Sequence, residues 1–201
     1  MENIRICEQT ISNQTLVFDS KCIYFVGPDL ILQNCELIIK TAASNFIDCG
    51  VEFHDCTIIF KRKFAGMRWD KSKFFNCKFI GEFGGNIGNG ILGVDYVCEI
   101  RDCDFSECIL NGVRFIEVDM ATIKLPRWPC VTIFNPYHHI QELNEVKGWG
   151  IYGSFFNPED IQYFGPDTGL GLCISGNWGK KYNVDEKLLY EELSTLDFVY
   201  L

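Results

Sequence analysis

The chain has 201 residues, 47% of them apolar and 22% charged, and 27 acids against 18 bases give a net charge of −9. That apolar share is enough for a sizeable core in one domain, with or without a small appendage, and excludes a disordered chain. The acidic balance excludes a coat for nucleic acid or a docking face for anionic lipid, and suits a partner that is itself basic.

The first ten residues, MENIRICEQT, carry no basic stretch followed by an apolar run. No window of about 20 residues is free of charge. A cytoplasmic chain without a membrane span is expected. Eleven cysteines are an odd number, which together with the absence of a leader favours thiols over a disulfide framework. There is no CxxC, and His54, His138 and His139 do not sit near cysteines at zinc-ligand spacing, so neither a metal nor a cofactor is expected.

Cys35, Cys56, Cys77 and Cys98 stand 21 residues apart. The residues before the first three are Asn34, Asp55 and Asn76; two residues after each cysteine stand Leu37, Ile58, Phe79 and Ile100. Leu16 falls over Leu37 one step earlier. The spacing predicts coils of about 21 residues with the four cysteines in one column. The glycine-rich run Gly84 to Gly90 lies inside one such coil, lacks the Lys-Ser/Thr of a phosphate-binding loop, and reads as tight corners. Lys61, Arg62, Lys63, Arg68 and Lys71 read as a solvated face.

From Cys98 a five-residue beat emerges. Cys98, Cys103, Cys108, Val113, Val118 and Ile123 form one set; Ile100, Phe105, Leu110, Phe115, Met120 and Leu125 form its companion. Helices repeat every three or four residues and strands every two, so a strict five fits neither. It fits a chain that turns a corner every five residues, with four sides to a coil. Stacked coils then pair as short parallel strands about 4.8 Å apart, and both sets point to a shared axis. Cysteine serves the small inward position as a compact hydrophobe.

Cys103-Asp104-Phe105-Ser106-Glu107 carries the pattern best. Cys77-Lys78-Phe79 and Cys108-Ile109-Leu110 match it in part, and Val118-Asp119-Met120 is a degenerate copy. The motif resembles that of the pentapeptide-repeat family (Ala or Cys, then Asp or Asn, then Leu or Phe, then two variable residues). The resemblance spans residues 11–127 and is clear over 98–127. It implies a mainly β fold with a right-handed quadrilateral parallel β-helix, placed over 1–127; a small α-containing C-terminal cap is expected over 128–201 from the residues that follow.

After Pro126 the beat stops. Asn135 as N-cap and Pro136 at the first helical position predict a helix over 136–147, with a stripe of Ile140, Leu143 and Val146 and a stop at Gly148. A second short helix is expected from Asn157-Pro158-Glu159-Asp160 and a third over 185–195. The segments GWGIYGS and GPDTGLGL read as glycine-rich turns, and Trp128, Trp149 and Trp178 as core of a lid. A lid is needed because an open solenoid end exposes unpaired backbone and apolar core.

Residues 1–127 hold 14 bases and 17 acids, whereas 128–201 hold 4 bases and 10 acids, so the smaller part carries most of the excess. Asp185, Glu186, Glu191, Glu192 and Asp197 crowd around the last helix and are the candidate partner-binding residues. No convergent catalytic set appears, and most cysteines fall on inward positions where thiols are inert; no enzyme activity is expected. Leu125 to Pro136, following degenerate coils, is similar to proteins found beside bacterial polymorphic toxins. The resemblance implies an immunity or antitoxin protein. The acidic balance suits a basic toxin domain as its partner and argues against direct contact with nucleic acid or membrane. A monomer, or an end-to-end dimer through an uncapped N-terminal coil, is expected. The alternatives are a DNA-mimic pentapeptide-repeat protein that shields DNA gyrase, which needs a long anionic rod, and a general interaction scaffold.

Overall fold

Asn and Asp enter the left-handed backbone region more readily than other L residues, because their short polar side chains bond locally. In the computed structural model, which describes residues 1–69, 71–88, 98–157, 167–174 and 177–201, Asn13, Asn34, Asp55, Asn76 and Asp102 all turn a corner with φ between 49° and 57°. The Asn34 amide donates to Asn13 Oδ1, and the Asn76 amide to Asp55 Oδ1, each at 2.7 Å, so the corners stack as a ladder.

Between corners run short parallel strands: β1 (Glu2–Ile6), β2 (Gln9–Ser12), β3 (Thr15–Phe18), β4 (Cys22–Val26), β5 (Leu30–Gln33), β6 (Glu36–Ile39), β7 (Phe46–Asp48) and β8 (Val51–His54). Above them follow β9 (Thr57–Trp69), β10 (Lys73–Phe75), β11 (Lys78–Gly88), β12 (Glu99–Arg101) and β13 (Asp104–Ile116). They stack into sheets ordered β1-β4-β7 and β12-β10-β8-β5-β2, and a third running β13-β11-β9-β6-β3. The result is a parallel β-solenoid of about four turns. The lower turns carry three strands each, and residues 40–45 return through a short 3-10 turn at Ala43–Asn45. In the upper turns β9, β11 and β13 reach 13, 11 and 13 residues and run on through bends. Positive-φ glycines at Gly66, Gly81, Gly85 and Gly112, and register shifts beside Gly81 and Gly85, mark those bends.

The thiol column forms with one correction. After the corners at Asn34, Asp55, Asn76 and Asp102 the next residue points inward, and a thiol there satisfies carbonyls at the bend. Cys56 Sγ donates to His54 O at 3.2 Å and to Leu32 O of the coil below at 3.4 Å. Cys35 and Cys77 repeat the pattern. The next rung is Cys103, bonded to Arg101 O and Phe74 O, and not Cys98. The bond to the coil below spans 24 residues at Cys77 and 29 at Cys103, so this coil is five residues longer than a 21-residue ruler allows. Cys98 instead precedes β12, in register with Ser72, because Glu99 pairs with Lys73.

The five-residue beat holds throughout. Eleven of its twelve inward positions are buried at 7% exposure or less, and Met120 is half-buried against the same core. Aromatic rings fill the axis: Phe53 stacks on Phe74, and Phe79 on Phe105, with centroids 4.6 and 4.3 Å apart. Of the basic run, Lys61, Arg62, Lys63 and Arg68 face solvent as expected and Lys71 is half-buried; Lys63 pairs with Glu82 at 3.2 Å. Gly84, Gly85 and Gly88 lie within β11; Gly90 lies outside the described residues.

The C-terminal part departs most from expectation. It contains α1 (Ile140–Glu145), α2 (Asn177–Tyr182) and α3 (Glu186–Leu193), but also β14 (Cys130–Phe134), β15 (Asp167–Cys173) and β16 (Val199–Tyr200). These extend the large sheet in the order β13-β15-β14-β16, all antiparallel. The cap is thus joined to the last coil through hydrogen-bonded strands. β14 shows no alternation because its first four residues are all buried. β15 hides in a glycine-rich string. A Cβ on Gly171 would meet Leu110 Cδ1 at 2.5 Å, and one on Gly169 would meet Met120 Cε at 2.8 Å. Glycine leaves room here for the Leu110 and Met120 side chains of the coil, while Leu170 and Leu172 enter a second core.

Asn135 does not cap a helix. Its φ is 45°, and its N–H donates to Thr168 O at 3.1 Å, closing the end of the ladder. Residues 136–139 form turns, and α1 starts only at Ile140, with His139 as N-cap and no side-chain bond. GWGIYGS lies within a 3-10 segment, Lys147–Phe155, kinked at Gly150. The helix expected from Asn157 to Asp160 lies outside the described residues after Asn157. Trp149 is fully buried in the second core, with Trp128 and Trp178 packed against it.

Candidate functional site

The amphipathic pattern of α1 buries Ile140 and Leu143, which leaves Glu142 and Glu145 on its outer side. α3 buries Leu189 and Leu193 in the same way and presents Glu191 and Glu192. Where the helices converge they frame a groove of about 460 Å³. Val146, Leu188 and Leu196 supply its apolar lining, and Glu142, Glu145, Glu191 and Glu192 its carboxylates. The backbone at Glu142 and the His139 ring, 3.4 Å away, hold the Glu142 carboxyl below the usual carboxylate range, so it stays ionised near neutral pH. Among the described residues, the only lysine or arginine paired to these four is Lys187, 3.8 Å from Glu191. Tyr190 is 45% exposed beside the groove and meets Trp128 edge-on at 5.1 Å.

The five candidate residues divide. Glu191 and Glu192 line the groove. Glu192 also accepts from the Gly148 N–H at 2.8 Å, which fixes its position at the wall. Asp185 is the N-cap of α3, accepting from the Leu188 N–H at 3.0 Å, and is a structural residue. Glu186 sits exposed in the first helical turn, where the helix dipole favours an acid. Asp197 lies exposed in the turn before β16. Sequence reasoning does not single out Glu142 and Glu145, although their spacing of three on a predicted helix puts them on one polar face. An Asp185→Ala variant is expected to lose about 1 kcal/mol of stability. Thermal unfolding checks this; an unchanged midpoint would mean that the cap bond does not form.

Within the column a hydrogen bond with Cys103, with burial adding to it, pushes the Cys77 thiol up to about 12, and a bond with Cys77 raises Cys56, whereas the bond with Cys77 lowers Cys103 against its burial. Burial raises Cys108. No group of three His, Cys, Asp or Glu side chains suited to a metal ion occurs among the described residues. No helix among them is long and apolar enough to cross a membrane. Compared with protein-family profiles, characterised proteins and solved structures, the chain finds no match.

Proposed function

We propose that this chain is a non-catalytic protein-binding module, an immunity-type inhibitor that neutralises a basic toxin domain by covering it. The observation that carries the reading is the groove between α1 and α3: four carboxylates around an aliphatic floor, on the part of the chain with the larger charge excess. An acidic rim speeds encounter with a basic partner, and the apolar floor supplies contact once docked. The solenoid walls support this assignment of faces, since their charges neutralise one another. Glu52 pairs with Lys73 at 2.7 Å, Lys78 with Glu107 at 2.5 Å and Lys124 with Asp104 at 2.9 Å. Such mixed walls do not resemble the anionic rod that a DNA mimic needs.

The test is the product of the adjacent reading frame. The reading expects a basic domain whose expression stops growth, and growth restored when this chain is co-expressed. The triple variant Glu142→Gln, Glu145→Gln, Glu191→Gln is then expected to slow association about tenfold at low salt, with little change in dissociation. Stopped-flow mixing across a salt series measures this. A rate indifferent to both the substitutions and salt removes the groove from the interface. Protection of gyrase in a supercoiling assay would replace the toxin reading with the DNA-mimic one.

A further inference from the structure

Residues facing each other in an antiparallel ladder alternate between pairs that exchange both backbone hydrogen bonds and pairs that exchange none. In the second kind the Cα atoms are only about 4.5 Å apart and the side chains crowd together. The ladder between β14 and β15 can be phased from its ends. Ile174 N–H donates to Pro129 O at 2.9 Å, and Asn135 N–H to Thr168 O at 3.1 Å. Pairs 129/174 and 135/168 are therefore of the bonded kind. Alternation makes Cys130 and Cys173, which face each other in the register, a non-bonded pair. A Cα separation of about 4.5 Å lies within the span of a disulfide. The two thiols already interact, since the bond from Cys173, with burial, raises the Cys130 thiol.

Access separates this pair from the column. Cys56, Cys77 and Cys103 are each 1% exposed and aim their sulfurs at carbonyls of the coil wall. Cys130 is also buried, but Cys173 is half-buried and lines a groove of about 550 Å³ beside Ile109 and Trp178. A small oxidant reaches Cys173 from that groove, and Cys130 stands directly behind it.

We propose that Cys130 and Cys173 form a reversible disulfide, with a peroxide as oxidant, that staples β14 to β15 at the joint between solenoid and cap. The Cys173 thiolate attacks one peroxide oxygen. The O–O bond breaks, hydroxide leaves and takes up the thiol's proton as water, and Cys173 becomes a sulfenic acid. The Cys130 thiol then attacks that sulfur: the S–S bond forms, the S–O bond breaks, and a second water carries off the Cys130 proton. The two electrons given up by the sulfurs reduce the peroxide. A thiol reductant reverses the bond by exchange. The staple ties together the two strands that carry Val131, Ile133, Leu170 and Leu172 into the cap core, whether or not the cap binds a toxin.

Stepwise addition of hydrogen peroxide to the full chain, followed by alkylation, digestion and mass spectrometry, tests this. The expected product is a Cys130 peptide joined to a Cys173 peptide, lighter by two hydrogen atoms and separated again by dithiothreitol. The melting temperature of the oxidised chain is expected to rise by about 5–10 °C. Cys173→Ser is expected to abolish both changes and Cys7→Ser neither. A Cys173 carried on to sulfinic acid while Cys130 remains alkylatable overturns the proposal, as does a link between any other pair or no link at all. The wild-type peptide map answers the question even if Cys173→Ser does not fold.

Discussion

Replacing Phe105 by alanine is expected to cost about 3–5 kcal/mol. Phe105 is fully buried, stacks on Phe79 with centroids 4.3 Å apart and planes 6° from parallel, and meets Phe115 edge-on at 5.5 Å. Truncation removes the ring's transfer energy and leaves a cavity that hydrogen-bonded coils above and below cannot close. In equilibrium unfolding the urea midpoint is expected to fall by roughly 1–2 M. Fluorescence and circular dichroism should report the loss together if the solenoid and cap unfold as one. A fall of only a few tenths of a molar would mean that the axis is not packed around this stack.

Gly85→Ala is expected to be at least as damaging, for a different reason. Gly85 has φ 138°, and a Cβ there would lie 2.0 Å from the carbonyl oxygen of Met67 in the coil below. That oxygen belongs to the backbone of a paired strand, since Gly85 and Met67 are register partners, so it cannot move aside without opening the ladder. Gly66 is the control: its φ is 76°, but nothing lies within 4 Å of where a Cβ would stand. Gly66→Ala therefore carries only the left-handed strain of about 1–2 kcal/mol. Gly85→Ala adds the collision and is expected to yield little folded protein. Equal stabilities for the two variants, measured by denaturant unfolding, would remove the close approach between coils as a constraint.

The parts of the fold legible in the sequence are those in which position along the chain is position in space. A solenoid repeats itself, so the inward residues from Cys98 to Leu125 announce themselves by spacing, and the polar residues before Cys35, Cys56 and Cys77 mark corners. The fourth rung escapes the 21-residue ruler because the extra length between β11 and β12 is silent when counting from cysteine to cysteine. Both Cys98 and Cys103 are inward, and only strand pairing shows which one stands over Cys77.

The acidic candidates are legible as composition but not as a site. Asp185 and Glu191 look alike in the sequence; one closes a helix end and the other lines a groove, because α1 and α3 converge beside the latter and not the former. What the amino-acid order determined by itself was the inward beat, the thiol corners and the surplus of acid after residue 127, all properties of neighbours a few residues apart. The tertiary structure alone decided that a glycine-rich string becomes β15, that Cys130 faces Cys173, and that Glu142 and Glu145 share a groove with Glu191 and Glu192. Each of these depends on distant segments of the chain meeting through burial and backbone pairing, which no local period encodes.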